Sequence, residues 1–198
     1  LGKSGLKVSE IGLGTNTFGG RADEQTSISI IEHALELGVN FIDTAEMYTQ
    51  GRSEEIIGKA VKGKRSQVII ATKFGHRASI GPRERGGSRS YIIKALENSL
   101  RRLNTDYIDL YYLHYPDTET PIEETLGALD DLVHAGKVRY IACSNVAAWQ
   151  LCEAEWTSRL HNLERFIAVQ SRYNLLDRSI EEEIVPCCQA YGIGVVPW

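Results

Sequence analysis

Tyr48 lies five residues beyond Asp43, and Lys73 ends the next apolar run of the chain. A phenol, with an unperturbed pKa of about 10, exchanges protons poorly at neutral pH unless a cation lies beside it. Lys73 can be that cation, and Asp43 can hold its ammonium by a charge-assisted hydrogen bond. Lowering a phenol pKa by about two units takes only about 2.7 kcal/mol of differential interaction, within reach of one buried ammonium. The same residues also fit a plainer arrangement, an Asp–Lys ion pair at a rim with a tyrosine packed nearby. His114 follows Leu110, Tyr111, Tyr112 and Leu113. As a neutral imidazole it can hydrogen-bond a substrate oxygen, although a lone histidine is more often a satisfied polar residue; its place one strand beyond Lys73 is what raises the first reading. The remaining histidines, His33, His76, His134 and His161, fall on expected helices or in a loop and carry no such suggestion.

Other chemistries fit less well. No HExxH or CxxC spacing occurs, so no metal site is expected. Gly12-Leu13-Gly14 and Gly19-Gly20 make no GxGxxG and open no helix, so a dinucleotide fingerprint of the Rossmann kind is not supported. Ser144-Asn145 and Gln170 are hydrogen-bonding groups at strand ends that can face an amide, although Ser-Asn at such a junction is also an ordinary helix cap. Cys143, Cys152, Cys187 and Cys188 have no metal spacing, and the adjacent Cys187 and Cys188 read as small apolar fillers. With 22 basic and 26 acidic residues the net charge is −4, without a basic block, so no nucleic-acid partner is expected. No apolar stretch approaches the length of a signal or membrane segment. The expectation is a cytoplasmic chain with no membrane partner; the oligomeric state stays open.

What must position these residues is an alternation of strands and helices. Short runs, mostly apolar on both faces, occupy Glu10–Gly14, Val39–Thr44, Gln67–Lys73, Tyr107–His114, Val138–Ser144, Phe166–Ser171 and Ile193–Val196. Parallel strands covered on both sides read this way. Between them Ile28, Ile31 and Leu35 form a helical stripe closed at Leu37-Gly38, and Ser53 caps a second helix through Ile56, Ile57 and Ala60. Ser90 is expected to cap a third, over Ile92, Leu96, Leu100 and Leu103. Pro121 opens a fourth, which ends at Gly136, and residues 147–160 and 179–191 supply two more. Units of about 30 residues indicate an α/β fold with right-handed crossovers. Asp43, Lys73, His114, Ser144, Asn145 and Gln170 all fall at or just past C-terminal strand ends. In a closed barrel those ends converge on one mouth, whereas in an open sheet they spread by about 5 Å per strand. A (β/α)8 barrel is therefore preferred. Residues 1–198 are read as a single catalytic and cofactor-binding barrel domain covering strands 1–7, with a further helix, strand 8 and its helix expected beyond Trp198.

Taken in order, these segments resemble the aldo-keto reductase superfamily. The matching residues are Gly12-Leu13-Gly14-Thr15, Asn40 to Ala45 with Tyr48 and Gly51, Ser53 to Gly58, Ala71-Thr72-Lys73, Asp109 to His114, Gly136 to Ile141, and Ser144-Asn145. The segment Gln170…Tyr173-Asn174 looks like the branch of bacterial reductases and potassium-channel β subunits. The resemblance implies a catalytic tetrad of Asp43, Tyr48, Lys73 and His114, with Tyr48 as general acid or base and His114 polarising the carbonyl. It implies hydride transfer between a nicotinamide cofactor and an aldehyde, ketone or alcohol, generally with NADP(H), and NAD(H) remains open. Ser144, Asn145 and Gln170 would hold the carboxamide, Trp198 would stack on the nicotinamide, and Gly14, Thr15 and Asp43 would lie near the ribose.

Two alternatives accompany this reading. One is a nicotinamide-binding regulatory protein of the channel-subunit kind, with slow redox turnover. The other is a lyase that uses Lys73 as a Schiff-base amine, which Asp43 disfavours by keeping the lysine protonated. Phe18, Tyr48, Phe74, Tyr115 and Trp198 are expected to wall the substrate pocket. Loop 74–90, with Arg77, Arg83, Arg85 and Arg89, is expected to cross the rim.

Overall fold

Seven strands form one parallel sheet in sequence order, each hydrogen-bonded to the next. The computed structural model describes residues 1–76 and 86–198. The strands are β1 (Gly12–Gly14), β2 (Phe41–Asp43), β3 (Ile69–Phe74), β4 (Ile108–Leu113), β5 (Val138–Ser144), β6 (Phe166–Ser171) and β7 (Gly194–Pro197). The helices between them are α1 (Glu24–Glu36), α2 (Arg52–Ala60), α3 (Arg89–Leu103), α4 (Ile122–His134), α5 (Ala148–His161) and α6 (Ile184–Tyr191). The sheet is curled. Gln170 on β6 donates from Nε2 to Asp43 Oδ2 on β2 at 2.9 Å. Four strand spacings in a flat sheet would separate those positions by about 19 Å. The architecture is the expected (β/α)8 barrel, represented by seven of its strands.

Alternation along the strands sorts the apolar residues into two cores. One face carries Phe41, Ala71, Leu110, Tyr112, Ala142 and Ala168 into the barrel interior, where Leu6 packs against them. The other face, with Ile42, Ile70, Tyr111, Ile141 and Val169, meets the helical shell through Ile31, Ile56, Leu96, Leu129 and Leu151. The small Ala residues of β3, β5 and β6 leave interior room for Phe41 and Tyr112, as a narrow barrel needs. The N-terminal segment packs beside β7. Lys3 N donates to Gly192 O at 2.8 Å, and Gly2, at φ +57, has no room for a Cβ, which would stand 2.6 Å from Ile167 O.

Element ends differ from the sequence expectation in instructive ways. α2 begins at Arg52 after Gly51, whose φ is +88. Ser53 is therefore inside the helix, not its cap; it is buried and its Oγ donates to Thr15 O at 3.0 Å. α3 starts one residue after Ser88, so Ser90 is not its cap either. The chain enters α2 by a left-handed glycine and α3 by the extended Ser88, neither with a side-chain cap. The closures at Gly38 (φ +85) and Gly136 (φ +71) are as expected.

Candidate active site

β2 and β3 lie side by side, with Asp43 in register with Ala71, and this brings Asp43 and Lys73 together. Lys73 is fully buried. Its Nζ is hydrogen-bonded and ion-paired to Asp43 Oδ1, donates to Thr44 O at 2.7 Å and reaches the Tyr48 hydroxyl at 3.3 Å. Three ligands around one ammonium fix its position and aim its remaining charge at the phenol. Tyr48 begins a short 3-10 turn, Tyr48–Gly51, in which Thr49 and Gln50 take left-handed conformations. Thr49 Oγ1 donating to Phe18 O at 2.6 Å anchors that turn.

His114 follows β4, and its ring stands 6.0 Å from that of Tyr48 in an edge-on arrangement. Tyr115 stacks on its other side at 4.9 Å. Burial, then Lys73, then His76 push the imidazole down to about 3, so it is neutral at physiological pH. Its buried Nδ1 has no partner among the described residues. Tyr48 is pushed up from the ordinary tyrosine value, because burial outweighs the opposing pull of Lys73. Lys73 does pull the phenol down, as expected, but burial sets the net direction. The ammonium offsets part of a burial penalty, and Tyr48 is a protonated donor throughout the neutral range.

The amide-bearing residues gather opposite. Ser144 Oγ donates to Gln170 O at 2.8 Å, and Asn145 Nδ2 donates to His114 O and to Ser144 Oγ, each at 3.0 Å. Asn145 Oδ1 accepts from Trp198 Nε1 at 3.1 Å, and Gln170 reaches back to Asp43. Asn145 holds φ +58, a conformation asparagine tolerates better than most residues. Thr15 is buried: its Oγ1 donates to Asp43 O at 2.9 Å and lies 2.8 Å from Ser53 Oγ, so its hydroxyl ties β1 to β2 and α2. Gly14 has open space where a Cβ would be.

All the expected catalytic and cofactor-binding residues except Lys73 line one cavity of about 350 Å³: Gly14, Thr15, Asp43, Tyr48, His114, Ser144, Asn145, Gln170 and Trp198. Lys73 sits beneath its wall, fully buried. Asn16, Met47, His76 and Tyr115 complete the lining. His76 also belongs to the site, although its place in an expected loop carried no such suggestion. Its ring lies 5.4 Å from both His114 and Tyr115, and the only available signal was its position two residues past β3. Phe18 and Phe74 do not line the cavity. They are buried in the outer core, Phe74 against Tyr111 at 4.7 Å, because strand alternation turns residue 74 away from Lys73. Arg77, Arg83 and Arg85 lie outside the described residues, and Arg89 is ion-paired to Asp131 on the outer surface. The half-exposed indole of Trp198 and the side chains of Ser144, Asn145 and Gln170 can offer a flat ring bearing an amide a stacking face and hydrogen-bond partners.

The family model described as "Aldo/keto reductase family" matches residues 10–198. The chain is 44% identical over 192 residues to aldo-keto reductase YhdN of Bacillus subtilis (strain 168), covering 94% of this chain and 56% of that protein. It is 41% identical over 204 residues to a probable aldo-keto reductase 1 of Glycine max, covering 100% of this chain and 57% of that one. A probable voltage-gated potassium channel subunit beta of Oryza sativa subsp. japonica is 38% identical over 203 residues, with 100% and 62% covered. The chain thus spans somewhat more than half the length of these relatives. Among the described residues no helix is long and apolar enough to cross a membrane.

Proposed function

The chain belongs to the aldo/keto reductase family, and on that premise we propose that it is an oxidoreductase moving a hydride between NADP(H), or alternatively NAD(H), and a small aldehyde, ketone or corresponding alcohol. The observation that carries this reading is the Lys73 ammonium, which donates at once to Asp43 and to the Tyr48 hydroxyl within a cavity that His114 also lines. Asp43, Ser144, Asn145, Gln170 and Trp198 would hold the nicotinamide end, and the bound cofactor would supply the hydride. The protein's own part is proton transfer and orientation. Tyr48, kept protonated by burial, gives its proton to the oxygen as negative charge grows there. Lys73 stabilises the phenolate left behind and Asp43 keeps the lysine in place. Neutral His114 donates to the carbonyl oxygen and sets its distance from Tyr48. In the reverse direction the phenolate takes the alcohol proton. A cytoplasmic location accompanies this reading.

The test is NADPH oxidation with an aromatic aldehyde. Tyr48→Phe keeps the ring and removes the proton, so kcat should fall by about 10²–10⁴ while the fold is retained. Unchanged turnover in that variant would sink the assignment. A second reading is favoured by the likeness to potassium-channel β subunits: a nicotinamide-binding regulatory protein with slow redox turnover. It predicts tight cofactor binding, measurable through Trp198 fluorescence, with single-turnover reduction far faster than steady-state turnover.

A further inference from the structure

Away from the mouth, two thiols meet on the outer helical shell. Cys152 on α5 and Cys187 on α6 have their sulfurs 3.6 Å apart, and the Cys187 thiol also points at Ala148 O, 3.8 Å away. Both are half-buried, within reach of a small oxidant, whereas Cys143 and Cys188 are buried. Reading Cys187 as an apolar filler missed this pairing, because helical periodicity does not say which helix a residue faces. A second contact fixes the same register. One turn further along each helix, Trp156 Nε1 donates to the Tyr191 hydroxyl at 3.1 Å. Residues four apart share a helix face, so Cys152 with Trp156, and Cys187 with Tyr191, form two facing stripes.

We propose that Cys152 and Cys187 are a reversible dithiol–disulfide pair, oxidised by a hydroperoxide, whose closed form bridges α5 and α6. A disulfide needs its sulfurs about 2.0 Å apart, so side-chain rotation with a slight approach of the helices closes the gap. The two sulfurs have distinct roles. The Cys187 thiol donates toward Ala148 O, and burial holds it above the usual thiol range, so Cys152 is the sulfur that meets the oxidant. Cys152 attacks one peroxide oxygen. The O–O bond breaks, the leaving oxygen takes the Cys152 thiol proton and departs as an alcohol or water, and Cys152 becomes a sulfenic acid. Cys187 sulfur then displaces the sulfenic oxygen, which departs as water with the Cys187 proton as the S–S bond forms. Two thiols lose two electrons and the hydroperoxide gains them. The bridge ties from outside the two units whose inner ends meet at Asn145 and Trp198.

The test needs no turnover and is therefore independent of the proposed activity. The full chain is treated with stoichiometric hydrogen peroxide, its free thiols are alkylated, and its peptides are mapped by mass. The four thiols should fall by half, with one cross-link joining Cys152 to Cys187, and dithiothreitol should restore all of them. Cys152→Ser and Cys187→Ser should each abolish the cross-link, and Cys143→Ser should leave it. Undiminished free thiols after peroxide, a cross-link through Cys188 instead, or sulfinic acid on Cys152 without a cross-link would each overturn the proposal.

Discussion

Two titratable side chains near the mouth respond to acid in opposite directions. An unfolded chain takes up a proton at residue 114 near pH 6.5, but the folded protein refuses it until about pH 3. The stability from a neutral His114 is therefore complete above pH 6.5 and is lost as pH falls below it. Glu46 runs the other way. Its Oε1 accepts from the Tyr91 hydroxyl at 2.6 Å and from Gly75 N at 3.2 Å, and burial raises it from 4.5 to about 6. The folded protein takes up that proton first, so stability is gained as pH falls through 6 and is complete below 4.5. Between pH 7 and 4.5 the His114 contribution should fall by about 2–3 kcal/mol and the Glu46 contribution rise by about 1–2. Urea denaturation across that range should show His114→Gln less acid-sensitive than the wild type and Glu46→Gln more so. Parallel curves for all three would remove both assignments. The same neutrality of His114 predicts that the pH profile of turnover carries no limb from this residue between pH 5 and 8.

At the scale of elements, the helices must sit close enough to the sheet and to one another to hold the loops that carry chemistry. Gly58 marks a close helix–helix approach. A Cβ there would lie 2.6 Å from Leu103 O and 2.9 Å from Arg102 O, both backbone atoms of α3. Gly58→Ala should push α2 from α3 and cost about 1–3 kcal/mol, read as a lowered thermal midpoint. The same seam holds a buried carboxylate. Glu54 accepts from Arg102 Nε at 2.6 Å and from Thr72 Oγ1 at 2.6 Å, so α2, α3 and β3 share one charged junction beneath the Tyr48 turn. At this scale the sequence was most legible. Apolar stripes at three- and four-residue spacing located the first four helices, because a helix face must bury continuously whatever it packs against, whereas the range 179–191 ran together a 3-10 turn and α6, which begins only at Ile184. Helix starts were less legible. A serine near a helix start has the same local pattern whether it caps, as was expected of Ser53, or bonds across to Thr15 and Thr44.

At the scale of the whole molecule, the barrel is two nested cores with the site at their common end. Phe41 is the largest apolar side chain in the interior cluster apart from Tyr112, and it is 3% exposed. Phe41→Ala should cost about 3–5 kcal/mol, because interior Ala residues on neighbouring strands cannot move in to fill the space. Calorimetric unfolding would show it, and a loss below about 1 kcal/mol would mean that the interior is not packed as described. The sequence alone determined the order of strands and helices, the strand ends that carry Asp43, Lys73, His114, Ser144, Asn145 and Gln170, and the family to which that order is similar. These are local properties, written in periodicity and in the residue types that end each strand. Only the tertiary structure decided what those residues do to one another. Gln170 meets Asp43 across 127 residues because the sheet curls. Burial at the mouth overrides the cation beside Tyr48 and keeps His114 neutral. His76 joins the site, Phe18 and Phe74 leave it, and Cys152 finds Cys187. Desolvation and contact between distant segments are properties of the packed molecule, and no short stretch of sequence contains them.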